Sequence, residues 1–200
     1  MTSIIRAAVF STLAVAFCFA LAPPMGAQDV KNTSHVAPDK TRVLQHSLVV
    51  PASLKEIWDV FTTTEGVKTW AVPVASVDFR VGGIWESSYN RTGTIGAPGN
   101  IKNRYLSYIP MRMVSFQAIN APPTFQHPEV LADVFTVIEL EELGPRSVRV
   151  TASVVGFKNN AAHDAVYSFF DSGNASTLRN LHQRFTNGPV DWNRSQLGRD

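Results

Sequence analysis

Residues 49–70 read VVPASLKEIWDVFTTTEGVKTW, and residues 77–85 read VDFRVGGIW. A β-type run ends at Pro51 and a helix opens at once. Ser53 is placed to cap the first turn, and Glu56, three residues on, completes a capping box. Leu54, Ile57, Trp58 and Phe61 recur at i, i+3, i+4 and i+7, so one face of this helix must pack on an apolar surface. A second short helical piece ends near Trp70. An apolar run over 74–81 then leads into Gly82-Gly83, and a strand resumes over 84–90. Strand, proline, helix pair, strand and a Gly-Gly turn in this order describe a sheet with a helical pair inserted after its first strand.

The first residues have a different character. Arg6 precedes an almost unbroken apolar run over 7–21, and Pro23, Pro24 and Gly26 follow it. That is the layout of a secretory signal peptide, with cleavage expected after Ala27. The apolar run is short of the roughly 20 residues of a membrane span. The single cysteine, Cys18, falls inside it. The mature chain therefore has neither disulfides nor thiolate chemistry, and its fold must be held by its core. Arg6 is the only charged residue removed, so the mature chain stays close to neutral. Arg91, Lys102, Arg104 and Arg112 are scattered outward positions, and no basic stripe marks a nucleic-acid partner.

The expected organisation is a signal peptide over 1–27, a flexible leader over 28–41, one domain over 42–192 and a tail over 193–200. Strands are expected at 43–50, 101–109 and 113–119. A proline-rich loop at 120–129 follows, then a hairpin of 130–140 with 147–157. In its second strand Val148, Val150, Ala152 and Val154 alternate with polar residues, the mark of a strand with one wet face. Residues 160–186 read as a helix about 40 Å long, with Val166, Phe170, Asn174, Thr177, Leu178, Leu181 and Phe185 as its inward stripe. Gly188-Pro189 ends it. Trp192 either folds back or stays loose.

Chemistry-bearing motifs are few. His35, His46, His127, His163 and His182 are far apart with no ligand spacing, so no metal site is expected. There is no G-x-S-x-G elbow, and Gly93, Gly96 and Gly99 lack the strand-to-helix context of a phosphate loop. No cofactor is called for. Asn174 is the oddity of the helical stripe, because a buried amide is costly unless bonded.

The features Pro51, Trp58, Trp70, the Val81-Gly82-Gly83 turn and the ending LRNLHQRFTNGPVDW, with Leu178, Leu181 and Gly188, resemble the START-like (SRPBCC) helix-grip superfamily. Within it they are similar to the branch of the activator of 90-kDa heat-shock protein ATPase, whose domains include polyketide cyclase-like ones. The resemblance covers residues 43–192. It implies an α+β fold in which a curved antiparallel sheet grips a long C-terminal helix around a ligand cavity. Where the branch commonly has Gly-Trp, this chain has Gly173-Asn174, which implies a larger or more polar cavity.

On that fold the expected lining is Trp70, Trp85, Tyr105, Phe116, Phe135, Phe170 and Asn174. Glu86, between Trp85 and Ser87, is the catalytic candidate. A carboxylate buried among apolar groups has a raised pKa and serves as acid or base. Alternation leaves the face of Glu86 open, and it leaves open which of Arg104 and Tyr105 points inward. The reading that follows is an exported, secreted or periplasmic domain holding a small hydrophobic or amphipathic molecule. The alternatives are a cofactor-independent cyclase, hydratase or lyase in the same cavity, and an interaction protein with a filled core.

Overall fold

The computed structural model describes residues 29–193. The expected signal peptide and most of the expected tail lie outside the described residues. Two short strands, β1 (Lys31–Asn32) and β2 (His35–Val36), precede β3 (Arg42–Val50), and both pair with it antiparallel. Helices α1 (Leu54–Thr62) and α2 (Thr64–Lys68) come next, followed by β4 (Val74–Val77), β5 (Ile84–Ser88), β6 (Ile101–Ile109) and β7 (Met113–Asn120). A 3-10 turn at Pro128–Ala132 leads to β8 (Phe135–Gly144), β9 (Ser147–Phe157) and α3 (Ala161–Asn187). The strands form one curved antiparallel sheet in the order β1-β3-β9-β8-β7-β6-β5-β4, with β2 also on β3.

The opening segment folds as its residues dictate. Ser53 accepts from the backbone N–H of Glu56, and the Glu56 carboxylate accepts from the Ser53 N–H at 2.8 Å. Arg146, in the β8–β9 turn, donates to Glu56 at 3.3 Å and to the Pro51 carbonyl at 3.2 Å, tying the start of α1 to the far hairpin. Ile57, Trp58 and Phe61 are buried. In the β4–β5 connection Gly82 has φ +79°, and a Cβ on Gly83 would lie 2.0 Å from the Asp78 carbonyl oxygen. Both positions therefore require glycine.

Several expected boundaries shift: the run expected over 74–81 is a strand only to Val77, and the strand expected over 84–90 ends at Ser88. The leader over 28–41 includes paired strands, because the edge of β3 offers unsatisfied backbone groups to Lys31–Asn32 and His35–Val36. The hairpin strand expected from residue 130 begins at Phe135, since the Pro128–Ala132 turn buries Val130 and Leu131 first. The segment after α3 folds back. The Val190 N–H donates to the Thr69 carbonyl at 2.9 Å, and Trp192 Nε1 donates to the Lys68 carbonyl at 2.7 Å.

The inner face of the sheet carries two apolar clusters rather than one. The larger joins Leu48, Val50, Ile138, Val150 and Ala152 to α1, α2 and the C-terminal half of α3 through Leu178 and Leu181. The smaller joins Leu44, Val130, Val134, Val154 and Phe157 to Val166, near the N-terminus of α3.

Candidate functional site

The seam between the two clusters is polar. On β3, residues 44, 46, 48 and 50 face inward, and His46 stands between Leu44 of one cluster and Leu48 of the other. On α3, no residue between Val166 and Leu178 is fully buried, a gap of three helical turns or about 18 Å. Asp171 and Asn174 lie in this gap, one turn apart on the same side of the helix.

His46 is 3% exposed. Its Nε2 sits 3.2 Å from Asp171 Oδ1. Burial, partly opposed by the Asp171 charge and reinforced by Arg179, holds the imidazole below its ordinary pKa and hence neutral. Asn32, paired with His46 across β1 and β3, donates Nδ2 to the same Asp171 oxygen at 3.1 Å. His46 Nδ1 and Asn174 Nδ2 are sealed from solvent and have no hydrogen-bond partner among the described residues. A buried polar atom left unpaired costs about 1–3 kcal/mol; His182 Nε2 and Arg184 Nε, further along α3, are in the same state.

The sequence candidates fall in several places. Trp85, Tyr105 and Phe116 do come together on the inner face of the sheet, with ring centroids 5.4 Å apart for Trp85–Phe116 and 6.5 Å for Tyr105–Phe116. Trp85 Nε1 is also buried without a partner. Tyr105 points inward and Arg104 outward. The Tyr105 hydroxyl donates to the Phe61 carbonyl at 3.0 Å, clamping α1 to the sheet, and burial raises its pKa. Trp70 donates Nε1 to the Val60 carbonyl and stacks edge-on against Phe61, so it braces the helix pair. Phe135 is opposite in alternation to Ile138 and lies on the other side of β8. Phe170 packs against the smaller cluster, beside Phe125 of the proline-rich loop at 6.5 Å.

Glu86 alternates with Trp85 and so faces away from the inner aromatics. It accepts from the Gly96 N–H at 2.6 Å and from Asn100 Nδ2 at 2.7 Å, and Lys102 Nζ is 3.8 Å away. Burial pushes its pKa up, but those hydrogen bonds and the Lys102 charge outweigh it and hold the carboxyl below its ordinary range. The raised pKa expected for an acid–base group is absent, and the carboxylate anchors the loop over residues 91–100.

His46, Asp171 and Asn32 were missed by sequence reasoning. The inward position of His46 was legible, since it alternates with Leu44 and Leu48. Its partner 125 positions away was not. Among the described residues no group of three His, Cys, Asp or Glu side chains is arranged to hold a metal. A hollow of about 320 Å³ lies between Phe125 of the proline-rich loop and Ala165, Val166 and Phe169 of α3. It adjoins the smaller cluster through Val166.

Sheet, helix pair and long terminal helix define a START-like helix-grip domain. The family described as Activator of Hsp90 ATPase homolog 1-like protein matches residues 51–186, and the chain belongs to it. No curated protein matches in sequence. Among solved structures, the Aha1 dimer from Colwellia psychrerythraea is similar at TM-score 0.57 and 18% identity, over 73% of this chain and 97% of that one. CalU16 from Micromonospora echinospora is similar at TM-score 0.60 and 14% identity, over 88% and 83%. Norcoclaurine synthase from Thalictrum flavum, in complex with dopamine and hydroxybenzaldehyde, is similar at TM-score 0.51 and 17% identity, over 74% and 87%. At these identities the likeness is one of fold.

Proposed function

We propose that the chain is an exported ligand-binding domain that seats a small amphipathic molecule between the sheet and the middle of α3. The observation that carries this is the split core. Three turns of α3 bury nothing fully, and the facing elements each carry a buried polar atom without a partner, Asn174 Nδ2 on α3 and His46 Nδ1 on β3. Small-ligand sites are mostly apolar with a few placed polar groups, and the flanking Leu44, Leu48 and Leu178 supply the apolar part. The same fold in norcoclaurine synthase accommodates two small aromatic molecules, which supports a ligand of that size. Phe125 and the proline-rich loop cover α3 beside the smaller cluster and form the way in.

The test is extraction of the purified protein under denaturing conditions, followed by mass spectrometry. A single apolar species at one per chain is expected. A clean extract, together with no thermal stabilisation by any member of a small apolar library, would contradict the proposal.

A further inference from the structure

A ligand site between the sheet and α3 leaves open what its polar end recognises. We propose that Trp85 and Asn103, opposite each other on β5 and β6, receive a neutral carbonyl oxygen, so that the ligand is a planar aromatic ketone or quinone. This rests on the proposed ligand site and carries it along the inner face of the sheet to β5 and β6.

Register brings the two side chains together. Trp85 pairs with Asn103 across β5 and β6, which sets their Cβ atoms about 5 Å apart on one face. That face is the inner one: Trp85 packs on Phe116, and Tyr105, two residues on from Asn103, reaches α1. Trp85 is 8% exposed and Asn103 9%. Trp85 Nε1 has no partner, and the Asn103 amide bonds to no group among the described residues. Ser87, 4% exposed, adds a hydroxyl on the same face about 7 Å along β5. The Tyr105 hydroxyl is not available, since it donates to Phe61.

The inner face is open beside this pair. α3 packs chiefly on β3, β9 and the Pro128–Ala132 turn. Phe116 and Ala118 on β7 and Thr136 on β8 face inward like the buried Val114 and Ile138, yet they are only half-buried. Paired inward positions run from Phe116 through Thr136 and Val154 to Leu44 at the seam. Three strand spacings, about 14 Å, separate Phe116 from Leu44, room for two fused rings with a short substituent. Phe116 stands edge-on to Trp85 at 5.4 Å and is the ring that turns aside to admit the oxygen to Nε1.

The chemistry of the pair selects the ligand atom. An indole N–H only donates, and the Asn103 amide offers a second donor. A carbonyl oxygen has two lone pairs and accepts from both at once. An amine or ammonium would leave Trp85 unpaired, and a hydroxyl accepting from both would need a third partner for its own proton. A carboxylate would be buried without a counter-charge, which is costly: Glu86, Lys102 and Arg104 all lie on the other side of β5 and β6.

Three probes of one shape test this on the purified protein by calorimetric titration. 2-Acetylnaphthalene carries the carbonyl, 2-ethylnaphthalene replaces it by a methylene, and 2-naphthoate replaces it by a carboxylate. Wild type is expected to bind the ketone about tenfold tighter than the hydrocarbon, the worth of one to two buried neutral hydrogen bonds, and to bind the carboxylate more weakly than the ketone. Trp85→Phe and Asn103→Leu should each weaken the ketone about three- to tenfold while holding the hydrocarbon. The infrared stretch of carbon-13-labelled ketone bound to wild type should lie below its position in a hydrocarbon solvent, a readout that needs no variant. Equal binding of ketone and hydrocarbon with an unshifted stretch would overturn the carbonyl pair and leave the ligand site standing. Tighter binding of 2-naphthoate than of the ketone would overturn the neutral class. Binding of none of the three would overturn both the pair and the site.

Discussion

Asn174→Leu should make the protein more stable and a poorer binder. The amide is half-buried, with Nδ2 sealed and unpaired. Removing one such group relieves about 1 kcal/mol, the low end of the usual penalty because the residue is only half-buried. Leucine is also the better helix former by about 0.5 kcal/mol in the middle of α3. Its methyls extend the apolar row toward Leu178, four residues on. A gain of about 1.5–2 kcal/mol follows, or about 3–8 °C in Tm for a domain of this size. Thermal unfolding by circular dichroism measures it, with ligand affinity read in parallel. A loss of 1 kcal/mol or more would show that the amide makes a structural bond, and the seam would lose one of its two stranded atoms.

Other substitutions separate frame from site. Glu86→Ala leaves the Gly96 N–H and Asn100 Nδ2 without their shared acceptor; it should cost about 2–3 kcal/mol in denaturant unfolding while ligand affinity holds. Because the Glu86 pKa is lowered on folding, its stabilisation is complete above the ordinary glutamate range and fades as pH falls through its lower folded value. Glu86→Gln should flatten that acid limb. Tyr105→Phe removes the bond to the Phe61 carbonyl and should cost about 1 kcal/mol without changing ligand exchange. The His46 pKa is likewise depressed, so the unfolded chain binds the extra proton first. Wild type should lose stability as pH falls from the ordinary histidine value of about 6.5 toward the folded one. His46→Phe should lack that step, as urea unfolding at a series of pH values would show.

Local and periodic features were legible in the residues. The capping box at Ser53 and Glu56, the amphipathic face of α1, the Gly82-Gly83 turn and the alternation of β9 each depend on neighbours within a few positions. The site depends on register. Nothing local places Asn32 opposite His46, or brings Asp171 to the ring from a helix 125 positions away. Alternation could not decide the face of Glu86 either, because the loop that covers it buries a residue on the outer side. The core divides in space, since His46 interrupts the inward row of β3 at the level of Asp171 on α3.

Intermolecular NOEs from a bound small aromatic probe to methyl-labelled protein locate the ligand most directly. A molecule seated on the seam should contact methyls from both clusters at once, with Leu48 and Leu178 on one side and Leu44 and Val166 on the other. Contacts confined to the hollow at Phe125 and Phe169, or none to any inward methyl, would contradict a ligand site between the sheet and α3.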